Sequence, residues 1–373
     1  MLSAETFHPR ELAEPDAAAW RAIQAAHVDF ADPLMGPDFA RAVGRVRADA
    51  RVSVFRQGGC AVGFLAYHLR PGGFVRAIGA PFSDYHALVA EPGLSAAEAL
   101  AAAGVTAFRF TGLVDPHGAF EATSDLEAFA ITLDGDAEAY LETLRAQSPK
   151  RFKNYRRLDH KLDREVGALR VVAPDQDPVA FQQLIAWKRD QLIRTGVHDV
   201  LRTDWTRGLM ADLFETRVGQ MRGLMINLYA GDRLVAGHFG VQAGDYYHPW
   251  IASTDPELAA WSPGQVFLTR AIAAMPGLGL RTYDLGASHD HYKRPYALTT
   301  RRVAEGLDTA STAQGRVAQL SEQAWVLAGG VASPVARLRR RLDSIVASEL
   351  SLAGRARGLA TAIAARTMTL ETA

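Results

Sequence analysis

Residues 223–254, GLMINLYAGDRLVAGHFGVQAGDYYHPWIAST, decide the fold prediction because they describe three strands joined by two tight turns. The pairs Gly231-Asp232 and Gly244-Asp245 separate apolar runs, a pattern typical of hairpin turns. After PELAAWSPGQ, the segment VFLTRAIAAMPGLG has helical spacing, and RTYDLG then has the pattern of a further strand. A meander that leads into a helix and a strand predicts an α+β domain.

The rest of the chain extends this pattern in both directions. The segment from DAEAYLETL onward predicts the order helix, strand, two helices, meander, helix, strand, short helix, strand. The residues before about 135 follow a degraded version of this order, which indicates an internal duplication. We therefore predict two domains with mixed, mostly antiparallel sheets flanked by helices, at residues 1–140 and 141–312, followed by a helical basic tail at 313–373.

Composition excludes several classes of protein. The 41 basic and 41 acidic residues balance, which argues against bulk capture by nucleic acid. Cys60 is the only cysteine, so there is no disulfide framework and no cysteine-based metal site. The N-terminal residues lack the pattern of a signal peptide, and no run of about 18 apolar residues predicts a membrane span. The expected localisation is cytoplasmic, with the inner face of the membrane as an alternative.

The start of the helix after the meander, SPGQVFLT, is suited to binding a phosphate. A helix N-terminus presents backbone N–H groups and the positive end of the helix dipole. Pro263 presets the turn, Gly264 permits close approach of a ligand to the backbone, and Ser262 or Gln265 can add side-chain hydrogen bonds. The alternative is an ordinary capped helix.

Several separated segments together resemble one known family. DRLVAG (Asp232–Gly237), SPGQVFL, TYDLGASHDHYKRPYA and the basic SPKRFKNYRRLDHKLDREVG are similar to the GNAT-fold acetyltransferases of the CelD type, described as involved in cellulose or exopolysaccharide biosynthesis. The segment GAPFSDYHALV resembles the Pro-x-Ser-Asp-Tyr segment of the same family. The resemblance implies two tandem GNAT-like domains, related to the Fem-type double-GNAT transferases. It also implies that acetyl-CoA binds the C-terminal domain as co-substrate.

Acetyl transfer to an amine needs a proton acceptor and groups that position the substrate. Asp284, at the end of the strand beside the cofactor helix, is the first catalytic candidate, although a loop-capping role is the alternative. His238, in the middle strand of the meander, is the second, because an unperturbed histidine titrates near neutral pH. The pair His289 and His291 has no third ligand at a suitable spacing, so we expect no metal site.

Further polar residues are candidates for substrate binding. Lys293 and Tyr292 lie in the loop after the strand RTYDLG and could contact an anionic group. Lys188 and Gln191 lie on a polar helix face, and His248 begins the third meander strand. The first domain would contribute Asp84 and Tyr85. These seven substrate-binding candidates are Asp84, Tyr85, Lys188, Gln191, His248, Tyr292 and Lys293.

The Arg-rich tail adds a separate possibility of binding. Its helices are most simply packed on the domains, but a basic amphipathic helix can also touch anionic lipid. Arg340-Arg341-Leu342-Asp343 spells Arg-x-x-Asp, a pattern found in receptors of cyclic di-GMP and equally in a helix ion pair. The expected partners are thus a glycan or lipid-linked sugar, with membrane or nucleotide contact through the tail as the alternatives.

Three functions compete at this point. The first is an acetyl-CoA-dependent N-acetyltransferase that acts on an amino sugar of an envelope polysaccharide, an exopolysaccharide or an adhesin. The second is a Fem-type transferase that takes aminoacyl-tRNA and extends a peptidoglycan peptide; the balanced charge of the chain disfavours nucleic acid, but the basic helix at 150–164 favours it. The third is a non-catalytic scaffold or cyclic-dinucleotide sensor of a polysaccharide machine.

Overall fold

The structure is a computed structural model, and it describes residues 2–287, 293–310, 312–327 and 333–371. Among these residues, thirteen strands follow one another along the chain. They are β1 Leu2–Phe7, β2 Ala50–Gln57, β3 Cys60–Leu69, β4 Phe74–Ala77, β5 Leu88–Ala90, β6 Ala107–Leu113, β7 Ser124–Thr132, β8 Leu169–Val172, β9 Met221–Ala230, β10 Arg233–Ala243, β11 Tyr246–Thr254, β12 Thr282–Ala287 and β13 Thr299–Thr309.

Eleven α-helices lie in the same described part of the chain. They are α1 Glu14–Ala26, α2 Pro37–Val46, α3 Ala96–Ala102, α4 Ala137–Gln147, α5 Pro149–Glu165, α6 Pro178–Arg194, α7 Asp204–Glu215, α8 Pro263–Ala274, α9 Ala313–Leu327, α10 Pro334–Ser348 and α11 Leu352–Glu371. None of these helices is both long enough and apolar enough to span a bilayer.

The chain forms two compact units. The first comprises Met1–Asp125, Leu192–Leu209 and Val303–Ala373, and the second comprises Leu126–Gln191 and Met210–Arg302. Each unit is assembled from separate segments, so a linear boundary at residue 140 or 312 stays a prediction.

The first unit contains the strand order β1-β2-β3-β4-β6-β13, with β5 paired to β3. Its pairings are antiparallel except β4 with β6, where Val75 is opposite Phe108. Apolar side chains on one face of β2, β3 and β6 pack against α3 and form the core, as alternation along a strand requires.

The second unit contains the strand order β7-β12-β11-β10-β9-β8. Its pairings are again antiparallel except for one, β11 with β12. Apolar residues of α4, α5 and α8 pack on one face of this sheet. Both units therefore contain an antiparallel meander, a helix and a parallel strand, and the α+β prediction with mixed, mostly antiparallel sheets is confirmed.

Three features of the fold differ from the sequence prediction. The N-terminal residues form strand β1, which is paired with β2, whereas no strand was expected there. The basic helix was expected to be continuous from DAEAY, but it breaks at Ser148 (φ −137°, ψ 61°). The break follows from Pro149, which restricts the preceding residue and has no N–H to continue α4. Strand β13 pairs with β6, nearly 200 residues earlier in the chain, which local patterns do not reveal.

Candidate active site

The parallel pair β11 and β12 opens into a wedge in the second unit. Within the described residues, the two strands are in register only at Tyr246 with Thr282 and at Tyr247 with Tyr283. Strand β11 then continues for seven residues, to Thr254. The strands therefore diverge toward their carboxyl ends, which is where ligands bind in many sheets that contain parallel strands.

The N-terminus of α8 lies beside the wide end of this wedge. A Cβ atom at Gly264 would be 3.3 Å from the Cγ2 atom of Thr254, the last residue of β11. Ser262, the N-cap, has left-handed backbone angles (φ 49°, ψ 56°), and its side chain makes no capping hydrogen bond. Its carbonyl oxygen accepts the N–H of Gln265 at 3.0 Å. The first turn of the helix is thus held by backbone contacts, and the Ser262 hydroxyl does not cap it.

Asp284, on β12, is a buried carboxylate with three donors around it. The Tyr246 hydroxyl donates to Oδ2 at 2.5 Å, the Gly286 N–H donates to Oδ1 at 2.7 Å, and the Arg301 guanidinium lies 3.3 Å from Oδ2. Burial by itself raises the pKa of Asp284, but the charge of Arg301, the neighbouring His248 and these hydrogen bonds together hold that pKa below its ordinary value. Asp284 is therefore ionised at neutral pH and suits electrostatic positioning better than proton abstraction.

His238, on β10, is also buried, and its Nδ1 atom lies 2.7 Å from the Tyr283 hydroxyl. Its ring packs on Phe267 of α8, with the ring centroids 4.5 Å apart. Burial lowers the pKa of His238 to about 3, with smaller contributions from the charges of Lys188 and Lys293. His238 is therefore neutral at pH 7 and can exchange a proton with Tyr283.

The two catalytic candidates lie on opposite faces of the sheet. Tyr283 and Asp284 are consecutive on β12, and side chains of consecutive strand residues point to opposite faces. Tyr283 contacts His238, whereas Asp284 contacts Tyr246. The structure thus pairs each candidate with its own tyrosine instead of forming one catalytic cluster.

The substrate-binding candidates of the second unit are distributed around these two pairs. His248 is fully buried and lowers the pKa of Asp284, while Lys293 is buried and lowers the pKa of His238. Lys188 is half-buried on α6 and lies 3.3 Å from the Oε1 atom of Gln191. Tyr292, like the pair His289 and His291, lies outside the described residues.

Gln265 lies in the first turn of α8, next to Gly264. Its carbonyl oxygen accepts the Tyr296 hydroxyl at 2.9 Å and the Thr269 hydroxyl at 3.1 Å. Its side-chain Oε1 atom is buried and has no hydrogen-bond partner within the described residues. The side-chain amide is therefore available to a ligand at the start of α8.

In the first unit, the chain itself occupies the corresponding position between β4 and β6. The His86 N–H donates to the carbonyl oxygen of Gly112 at 3.3 Å, and the His86 carbonyl oxygen accepts the Val114 N–H at 2.8 Å. A Cβ atom at Gly112 (φ +84°) would lie 1.9 Å from the carbonyl oxygen of Asp84. Tyr85 is fully buried here, and Asp84 is half-buried. The segment that holds the two first-unit candidates therefore fills the gap beside β6.

A cavity of about 430 Å³ in the second unit is lined by the turn between β9 and β10 and by the residues directly after β11. Its walls include Asp177, Asp232, Asp255 and Glu257, and a single cation, Arg233, which lies 2.6 Å from both Asp255 and Glu257. An excess of carboxylates repels phosphate groups. This cavity is therefore unsuited to a nucleotide donor.

The Arg-x-x-Asp segment of the tail lies on α10 in the first unit. Asp343 Oδ1 accepts a hydrogen bond from Arg76 of β4 at 2.7 Å, and Asp343 lies one helical turn from Arg339. Arg340 is exposed. The aspartate thus takes part in an ion pair that attaches α10 to β4, and nucleotide binding by this segment stays a prediction.

Sequence reasoning missed the two tyrosines and the arginine of the site. Tyr246 and Tyr283 are strand residues of ordinary apolar patterns, and Arg301 is one of 36 arginines. One local signal was present, because Tyr246 and Tyr247 directly follow the Gly244-Asp245 turn. Consecutive side chains of a strand point to opposite faces of the sheet, so this dipeptide places one tyrosine on each face.

Comparisons with known proteins agree with this geometry. Residues 149–294 match the family model described as an acetyltransferase (GNAT) domain. The structure of FemX is similar, with 12% sequence identity, a TM-score of 0.52, and coverage of 86% of this chain and 100% of that chain. A tandem GNAT protein from the clavulanic acid biosynthesis pathway, solved without acetyl-CoA, has 12% identity, a TM-score of 0.47, and coverage of 84% and 100%. No curated protein matches the chain.

These findings identify the class of enzyme. The matched residues run from α5 to the turn after β12 and so contain the wedge, α8 and both tyrosine pairs. The likeness to FemX shows the fold over most of the chain. The second unit thus contains the match to a GNAT acetyltransferase domain, the chain has a mixed, mostly antiparallel α+β fold similar to that of FemX, and it is an acyltransferase.

Proposed function

We propose that the protein is an acetyl-CoA-dependent N-acetyltransferase whose acceptor is an amino sugar of an envelope polysaccharide, an exopolysaccharide or an adhesin. The observation that carries the proposal is the open wedge between β11 and β12 beside the N-terminus of α8. The corresponding gap of the first unit is filled by residues 84–86. The donor therefore binds in the second unit.

The start of α8 fits the pyrophosphate of the donor. The helix is 12 residues long, and Gly264 has no side chain between the backbone and a ligand. Pro263 has no N–H and the Gln265 N–H is donated to the Ser262 carbonyl oxygen, so the helix dipole and the N–H of Gly264 would bind the phosphate without a cationic side chain. With its side-chain amide flipped, Gln265 would place its Nε2 donor where the unpartnered Oε1 lies, which adds a hydrogen-bond donor at the same turn.

When bound, acetyl-CoA supplies a thioester whose carbonyl carbon accepts the lone pair of the amine and whose thiolate then leaves. The amine must lose one proton to give the amide. Neutral His238 and the Tyr283 hydroxyl, 2.7 Å apart, form a path along which this proton can move. Because the pKa of His238 is lowered to about 3, the ring does not retain the proton, and the leaving thiolate takes it up to give the free thiol.

Asp284 has a positioning role in this scheme. Its ionised carboxylate holds the Tyr246 hydroxyl and the Gly286 N–H, which fixes the end of β12 next to the wedge. Gly286 has a positive φ of 78°, so β12 turns sharply at this point.

The acceptor class rests on the resemblance of four separated segments to the CelD-type acetyltransferases. The test is turnover of acetyl-CoA with a panel of acceptors, in which free thiol is measured. We expect amino sugars with a free 2-amino group to release thiol and their N-acetylated forms to release none. Equal thiol release with both forms would refute an amine acceptor.

A Fem-type transferase that uses aminoacyl-tRNA is the second candidate, because the fold of FemX is similar over the whole of that chain. This candidate predicts tRNA binding that weakens steeply as salt increases. A tRNA affinity that stays in the micromolar range at 150 mM salt, together with no thiol release, would favour it over acetyl transfer.

A further inference from the structure

The outward face of α5 is a stripe of positive charge. Phe152, Leu158 and Leu162 are buried against the core of the second unit. Because an α-helix turns 100° per residue, the side opposite these residues carries five cations and one histidine. They are Lys150, Lys153, Arg156, Arg157, His160 and Arg164, and all six are exposed.

The acidic residues of α5 lie beside the stripe and are already engaged. Asp159 binds Arg270 at 2.6 Å, Asp163 accepts the N–H of Leu169 at 2.9 Å, and Glu165 accepts hydrogen bonds from Arg164 and Trp261 at 3.1 Å. Lys150, Lys153 and Arg156 have no anionic partner within the described residues. The N-terminal half of the helix therefore carries uncompensated charge.

This charge is unfavourable for the helix itself. The first turn of α5 contains no acidic residue, and its N-cap, Ser148, makes no side-chain hydrogen bond. Cations in the first turn are repelled by the positive end of the helix dipole. The chain as a whole is neutral, so the stripe is a local concentration of charge and not a general property of the surface. An external anion would relieve this repulsion.

The shape of the stripe indicates the kind of anion. From Lys150 to Arg164 it extends about 21 Å along a straight helix, well beyond the length of one diphosphate. Apart from the imidazole of His160, it includes no exposed aromatic side chain on which a nucleic-acid base could stack. A straight row of cations meets a flat anionic surface along its whole length.

We propose that the α5 stripe docks the protein on an anionic lipid bilayer, through lipid phosphates and without insertion of apolar side chains. Each cation near such a surface strengthens binding roughly fivefold. Three neutral substitutions should therefore weaken binding roughly 100-fold. Binding should also fall as salt increases, because exposed charges are screened within about 10 Å at 0.1 M salt.

The test uses the full chain and sedimentation with vesicles of phosphatidylcholine alone or with 30% phosphatidylglycerol, at roughly 0.05 to 0.3 M salt. The stripe variant is Lys153→Gln/Arg156→Gln/Arg157→Gln. The control variant removes the same charge from exposed sites of the same unit, Arg217→Gln/Arg222→Gln/Arg281→Gln. Thermal unfolding of both variants verifies that they are folded.

We expect the wild type and the control variant to bind the vesicles that contain phosphatidylglycerol and not the vesicles of phosphatidylcholine alone. The stripe variant should lose this binding. Equal binding by the stripe and control variants would overturn the proposal, as would no binding by the wild type. Binding to a structured RNA that is tighter than to the vesicles at the same salt, and lost in the stripe variant, would overturn it in favour of nucleic acid. No acyl donor is present, so the result is independent of the proposed acetyl transfer.

Discussion

The protonation of His238 gives a quantitative prediction. The substitution His238→Asn keeps a polar group near the Tyr283 hydroxyl and removes the titrating ring. The side chain of His238 titrates near 6.5 when unfolded and at about 3 when folded, because burial disfavours the charged form. The unfolded state therefore binds more protons than the native state between these values, so stability falls as pH decreases from about 6.5 toward 3.

The size of the effect follows from the two values. Between pH 7 and pH 5, His238 should lower the free energy of unfolding by about 2 kcal/mol. The variant loses packing on Phe267 at every pH, but this loss does not change with pH. The buried residues His68 and His86, whose pKa values burial lowers to about 4 and about 3, are present in both proteins and cancel in the comparison.

The assay is urea unfolding of the wild type and the variant at pH 7 and pH 5, with His160→Asn, an exposed position on α5, as the control. We expect the free energy of unfolding of the wild type and of the control to fall by about 2 kcal/mol more than that of His238→Asn over this pH range. An equal loss in all three proteins would refute a buried neutral histidine at this position.

Three further predictions follow from single contacts. Asp284→Asn should reduce thiol release, and it should also flatten the decrease of stability below about pH 4. A carboxylate with a lowered pKa stabilises the fold above its unfolded pKa, and this stabilisation is lost as the pH falls. Acid titration of the wild type and the variant measures this difference in stability. Gly112→Ala should cost about 3 kcal/mol or more, because its Cβ would meet the backbone, whereas Gly118→Ala, also at positive φ but in open space, should cost about 1 kcal/mol; equal urea midpoints would contradict this. Arg47→Lys should cost about 2 kcal/mol and shift tryptophan emission, because it loses the bidentate contact with Asp49 and the stacking on an indole ring; unchanged emission and stability would contradict it.

The second unit was predicted better than the first because the helices and strands of the second unit are specified by residues that lie close together in the sequence. The turns at Gly231 and Gly244 set the meander, and Pro263 sets the start of α8; each signal acts within a few residues. The pairing of β13 with β6, by contrast, joins segments nearly 200 residues apart, and a strand of alternating polar and apolar residues is compatible with many partners.

For the site, residue types could be predicted but not their arrangement. Asp284 and His238 were chosen because they are polar residues on the right strands. Their separation onto opposite faces depends on the parallel register of Tyr247 with Tyr283, which no local pattern encodes. Tyr85 shows the same limit, since it lies in the segment that resembles a family motif but is itself fully buried beside β6.

The central claim is that the second unit binds one acyl donor at the start of α8. Calorimetric titration of the full chain with acetyl-CoA tests it most directly. The test variant is Gly264→Asp, whose carboxylate is compatible with the helix N-terminus but repels a bound phosphate. The control variant is Gly277→Asp, which adds the same charge at a position with open space around it. We predict one donor per chain for the wild type and for Gly277→Asp, and at least tenfold weaker binding for Gly264→Asp. No heat at millimolar acetyl-CoA, or equal affinity in all three proteins, would contradict the account.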